Sequence, residues 1–208
     1  MKLLDYNGWE NMESMFRRNL FNSLGGFKSL ALIGTKSAGG ITNLAPFSQI
    51  IHIGANPPFT GILFRPHTVQ RDTLENILDT KHFTINHVHV DILLQAHHTA
   101  ARWESSEFEG VGLEEEYLDN FQSPFVKSSK IKWACEFVER QDIKVNGTIL
   151  IIGAIKQIYV PEAYVAKDGF IDLQAAGSLT SNGLDAYYKT DLVDRLSYPK
   201  PDTLPHSI

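Results

Sequence analysis

Arg65, Arg71, Thr73 and Asn76 place two guanidinium forks, a hydroxyl and a carboxamide around the predicted start of a helix over Thr73–Asp79. A helix N-terminus offers unpaired backbone N–H groups and the positive end of the helix dipole, and guanidinium adds forked donors. Such a cluster can hold a phosphate dianion. Asp72 would repel the anion and is read as capping the helix, with Glu75 completing a capping box, or as orienting Arg71. Surface arginines beside an ordinary helix are the plain alternative. A second cluster, Thr42-Asn43-Leu44-Ala45-Pro46-Phe47-Ser48, lies upstream. Pro46 holds Ala45 extended, small residues admit a ligand to the main chain, and Asn43 and Ser48 supply donors and acceptors. It reads as a loop entering a strand, able to turn backbone amides toward a planar polar ring; an ordinary connection is the alternative.

Other motifs carry less chemistry. Gly34 to Gly40 has two glycines at phosphate-loop spacing, but Gly40 and Ile41 stand where that loop needs Lys and Ser or Thr, so a tight turn between strands is expected. His87, His89, His97 and His98 have neither finger nor HExxH spacing, and no metal site is assigned. Cys135 lies among Trp133, Ala134 and Phe137, which suits a buried, inert thiol. Glu114-Glu115-Glu116 reads as a solvated helix start. Tyr187 and Tyr188 could close over a ring or simply pack.

The elements that must position these groups are mostly strands. Ser29–Gly34, Ser48–Ile53, Gly61–Phe64, His82–His87, Lys132–Glu139 and Thr148–Tyr159 are short, β-branched or aromatic, and flanked by turn residues. Asn146-Gly147 is read as a type I′ hairpin turn rather than a glycosylation site, and Asp168-Gly169 as a weaker turn. Helices are expected at Met12–Leu24, from Asp72, and at Asp91–Trp103. Many strands without regular βαβ alternation indicate a closed or nearly closed antiparallel barrel with helical insertions.

Composition limits the function. The 208 residues are 43% hydrophobic and 11% aromatic, enough to bury about 70% of the unfolded surface in one domain spanning 1–208. Lys plus Arg number 19 against 24 for Asp plus Glu, a net charge of −5, which argues against nucleic acid as the main partner. No apolar run approaches a membrane span, and Asp5, Glu10 and Glu13 do not suit a signal peptide, so a cytoplasmic protein without membrane contact is expected.

Asn43-Leu-Ala-Pro-Phe-Ser48 with Pro57-Pro58, then Arg71-Asp-Thr73, Asn76-Ile77 and Phe83-Thr-Ile-Asn86, form an ordered set. Asn146-Gly-Thr148 leading into Ile151–Ile155 and Gly183–Tyr188 extend it, so that most of residues 29 to 190 resembles the flavin reductase-like family of FMN-binding split barrels. The resemblance implies a mainly β, Greek-key-like, six-stranded split barrel with a core over about residues 25–190, and a homodimer with FMN near its interface. It implies NADH or NADPH as a transient co-substrate, its nicotinamide stacking on the flavin and passing a hydride to the ring. Carried onto this chain, Asn43, Leu44, Ala45, Pro46, Phe47 and Ser48 would line the isoalloxazine. Arg71 and Thr73 would meet the phosphate, Arg65 and Asn76 are counted with them as cofactor-binding from the cluster at the helix start, and no catalytic acid or base is assigned. The stretch 88–130 exceeds a minimal member and is read as a helical insertion that could limit access to the flavin. Phe121–Val126 and Tyr159–Tyr164 are expected at the dimer interface. A non-catalytic flavin-binding dimeric scaffold is the alternative reading, and an oxidase of pyridoxamine-phosphate type a third.

Overall fold

The structure, a computed structural model, describes residues 6–208. Twelve strands run in chain order: β1 (Lys28–Ser29), β2 (Ala31–Lys36), β3 (Thr42–Phe47), β4 (Ile50–Ala55), β5 (Pro58–Phe64), β6 (His82–His87), β7 (Glu115–Glu116), β8 (Phe125–Val126), β9 (Lys132–Ile143), β10 (Thr148–Tyr159), β11 (Thr180–Asn182) and β12 (Ala186–Tyr188). The helices are α1 (Tyr6–Trp9), α2 (Ser14–Leu24), α3 (Asp72–Thr80), α4 (Leu93–His98), α5 (Glu107–Val111) and α6 (Leu173–Ala176).

Seven strands form the main antiparallel sheet in the order β3-β2-β6-β9-β10-β5-β4. Laid flat, seven strands would stand about 29 Å apart edge to edge, yet the two outermost, β3 and β4, are joined only through Ser48 and Gln49. So short a link forces the sheet to curl back on itself, which is the split-barrel form of this mainly β fold.

Two cores result. Alternation along β2 sends Ala31 and Ile33 to the inner face, where they pack with Ile62, Phe64, Phe83, Ile85, Ile151 and the α3 residues Leu74 and Ile77. Leu30, Leu32 and Leu44 point the other way, into a core with Val88, Ile92, Ala96, Phe108, Leu113 and Val126. The stretch 88–130 therefore builds its own core on the outer face. Lys132 on β9 is buried and holds β7 against the barrel through an ion pair with Glu116 and bonds to the Val126 and Lys127 carbonyls.

All six expected strands are present in the main sheet, His82–His87 and Thr148–Tyr159 with the expected ends and the other four with shifted ones, and that sheet gains a seventh: Thr42–Phe47 is strand β3, not a loop. Pro46 fits there because β3 is an edge strand and Pro46 lacks only an outward-facing N–H. The expected helix at Asp91–Trp103 is confined to a 3₁₀ turn at Val90–Ile92 and α4, ending at His98. Glu115 and Glu116 are a strand rather than a helix start, because Val126 and Phe125 pair with them. The turn at Asn146-Gly147 is a hairpin, but a four-residue one, Lys144 to Gly147, in which Gly147 alone takes positive φ. α2 begins at Ser14, capped by Glu13, and buries none of its residues.

Candidate functional site

The two clusters singled out in the sequence meet. The Asn43 carboxamide donates from Nδ2 to Thr73 Oγ1 at 2.9 Å and to Thr35 Oγ1 at 3.1 Å, and Asn76 Nδ2 donates to the same Thr35 oxygen at 3.1 Å. Thr35, Asn43, Thr73 and Asn76 are all buried, so this network joins β2, β3 and α3 inside the fold where unpaired polar atoms would be costly.

Cross-strand register sorts the rest of β3. Asn43 stands opposite Thr35, Ala45 opposite Ile33 and Phe47 opposite Ala31, so these three share the α3 face. Phe47 meets Phe64 edge to face at 4.9 Å. The Leu44 side chain points into the outer core and is fully buried, so it does not share a surface with Ala45 and Phe47. Ala45, Pro46, Phe47 and Ser48 are each half-buried.

The phosphate cluster is only partly assembled. Arg71, not Asp72, is the N-cap of α3, and no side chain caps the helix. Asp72 turns its carboxylate to Gln70 Nε2 at 2.9 Å, because in the first helical turn it no longer has the extended backbone a cap requires. Arg71 Nη2 donates to the Pro66 carbonyl at 3.3 Å, while its Nε is buried without a partner. An uncapped helix start beside a buried, unpaired guanidinium N–H is the donor set a phosphate needs, and in that respect the residues fit a flavin mononucleotide. Thr73 is committed to Asn43 as an acceptor, with its own hydroxyl proton left to donate. Arg65 follows β5, is exposed, and makes no hydrogen bond or ion pair with the others.

Glu107 was not legible in the sequence. At the start of α5 it accepts the outward Leu44 N–H at 2.9 Å, and burial, together with the nearby Asp72 charge, raises its carboxyl above the usual carboxylate range. Thr42 is gripped from the same side by Ser106 at 2.8 Å and Glu115 at 2.5 Å. The stretch 88–130 thus occupies the outward edge of β3 at Thr42 and Leu44, and its core lies on the face opposite Ala45 and Phe47. A cleft of about 390 Å³ at the far end of the β2–β3 hairpin, with Lys36, Ser37, Tyr117 and Ser123 in its wall, contains none of the predicted site residues.

Other predicted candidates settle into packing. His87 is half-buried beside Trp133, and desolvation lowers its pKa to about 4; its Nδ1 lies 2.9 Å from Ser178 Oγ. His89 lies between the Ser128 carbonyl and Asp91, while His97 bonds to the Tyr187 hydroxyl at 2.6 Å. Tyr188 packs on Phe27 at 4.9 Å. Cys135 is fully buried and its thiol is pushed well up by desolvation. Phe125 and Val126, expected at an interface, are fully buried within the chain.

Comparison with known proteins fits this geometry. Residues 27–172 match the model of the flavin reductase like domain. A split-barrel-domain structure from Shewanella frigidimarina NCIMB 400, a candidate flavin reductase, is 45% identical with a TM-score of 0.92, covering 96% of this chain and 100% of that one. An uncharacterized protein of Aquifex aeolicus is 30% identical over 140 residues, 59% of this chain and 71% of its own length. Component B of nitrilotriacetate monooxygenase from Bacillus cereus shares the fold at 20% identity, with a TM-score of 0.81 over 94% of this chain and 98% of that one. A sheet whose edge strands are tied by two residues, an α3 start bonded to β3, and a family model spanning most of the length agree: the chain belongs to the flavin reductase like domain family and carries its split-barrel fold.

Proposed function

We propose that the protein is an FMN-dependent oxidoreductase of flavin reductase type, taking reducing equivalents from NADH or NADPH and passing them to an acceptor, and that it works as a homodimer. The observation that carries the reading is the union of Asn43 with Thr73 beside the uncapped α3 start and the unpaired Arg71 Nε. The identity of the Shewanella frigidimarina protein as a candidate flavin reductase supports it.

The roles of the side chains follow from their places. Arg71 and the first turn of α3 hold the phosphate by charge and by free backbone donors. Ala45 and Phe47 give the ring a half-open surface on the α3 side, with Pro46 and Ser48 completing the edge of the strand, and the Asn43–Thr73 bond fixes its distance from the phosphate site. Bound flavin supplies the electron-carrying chemistry, so the protein needs no acid or base of its own. Glu107 holds the Leu44 amide outward and stiffens the edge strand, so that fixed dipoles rather than mobile ones face the ring.

The grip of residues 88–130 on β3 favours one other reading, a flavin binder whose ring is shielded from nicotinamide. A single experiment separates the two: record the absorbance of the purified, FMN-loaded protein without oxygen, then add NADH or NADPH. Bleaching of the flavin bands at a catalytic rate supports the reductase. Bound flavin that stays oxidised supports the shielded binder, and failure to bind flavin rejects both.

A further inference from the structure

We propose that residues 190–208 form an arm that clasps a second copy of this chain, an inference that rests on the homodimer reading. The segment is shaped, yet none of its residues enters the core of its own subunit. Bridges at Leu196–Ser207 and Lys200–Thr203, with Ser197 N–H donating to the His206 carbonyl at 2.8 Å and Ile208 N–H to the Arg195 carbonyl at 2.9 Å, fold it into a two-stranded ribbon. No residue of the ribbon is buried, and Val193 (98% exposed), Tyr198 (85%), Leu204 (88%) and Leu196 (59%) turn outward. A lone two-stranded ribbon is marginal in water, so an uncovered one with an apolar surface needs a partner to hold it.

Only its root is fastened to its own chain. Arg195 stacks over Phe170 at 4.1 Å and donates to Asp168 at 2.6 Å, and Gln174 bonds to Asp191 and to the Leu192 amide.

Charge and symmetry select the occupant. The arm carries Asp191, Asp194 and Asp202 against Arg195 and Lys200, so it lacks the basic excess that a nucleic acid or anionic lipid surface would require. Its counterpart stands on the same chain: α2 buries no residue and exposes Met15, Phe16, Phe21 and Leu24. A two-fold pair in which each arm covers the other copy's α2 closes both apolar surfaces at once.

The test compares the FMN-loaded full chain, a chain ending at Lys189, and the variants Leu196→Asp/Leu204→Asp and Phe16→Asp by sedimentation, with urea unfolding at low concentration alongside. The full chain should dimerise, and each change should raise the dimer dissociation constant at least about tenfold. Combining Phe16→Asp with the arm variant should add little further weakening, as expected for two sides of one contact. Dimers of unchanged affinity after removal of the arm would overturn the arm while leaving the homodimer intact. A full chain that stays monomeric would overturn both, and an armless monomer that unfolds more easily would assign the arm to its own subunit instead.

Discussion

Asn43 Nδ2 lies 2.9 Å from Thr73 Oγ1, a hydrogen bond that ties the edge strand β3 to the first turn of α3 across thirty residues of sequence. Both groups are buried, so the bond fixes how β3 sits against the start of α3. Thr73→Val would keep the shape and strand the Asn43 donor. We expect a loss of about 1 to 3 kcal/mol in urea unfolding at unchanged m-value, and Thr73→Ser should recover most of it. Equal losses in the two variants would mean that the methyl, not the hydroxyl, matters.

His87 makes stability depend on pH. Its folded pKa, about 4, lies below the unfolded value of 6.5, so the unfolded chain binds a proton that the folded chain refuses. Stability is therefore fully present above about pH 6.5 and is lost as pH falls toward 4, by on the order of 3 kcal/mol at the acid end. His87→Gln, which can still bond Ser178, should flatten that part of the profile. An unchanged acid limb in the variant would place the titration elsewhere.

Gly34 is required where the outer insertion meets the barrel. A Cβ there would collide with the Pro124 carbonyl oxygen, which already accepts the Thr84 hydroxyl at 2.6 Å. Backbone cannot step aside as a flexible side chain can, so Gly34→Ala should cost about 2 kcal/mol or more in thermal or urea unfolding. Gly39→Ala, with only Ser37 Oγ at 3.8 Å, should cost under about 1 kcal/mol and serves as the control.

Legibility in the sequence followed the range of the forces involved. The six strands first read from β-branched runs are present, since their signal is local, and Arg71, Thr73 and Asn76 fell beside a helix start that Asp72 and Glu75 announce. β3 was missed because Pro46 argues against a strand unless the strand is known to be an edge, a fact of topology. The outward burial of Leu44 and the grip of Glu107 on its amide were equally hidden, because they depend on α5, sixty-three residues away, folding against that edge. Glu115 and Glu116 misled for a related reason, since only β8 makes a strand of them.

The account's central claim is that the α3 start holds the flavin phosphate while β3 faces the ring, and Arg71→Ala separates the two. Titrate FMN and riboflavin against the parent and the variant by fluorescence quenching. The account predicts FMN binding weaker by roughly 1.5 to 3 kcal/mol, about ten- to hundredfold, with riboflavin binding unchanged, because riboflavin has the ring and lacks the phosphate. A folded Arg71→Ala protein that loses riboflavin as severely as FMN, or that keeps FMN at full affinity, would contradict it.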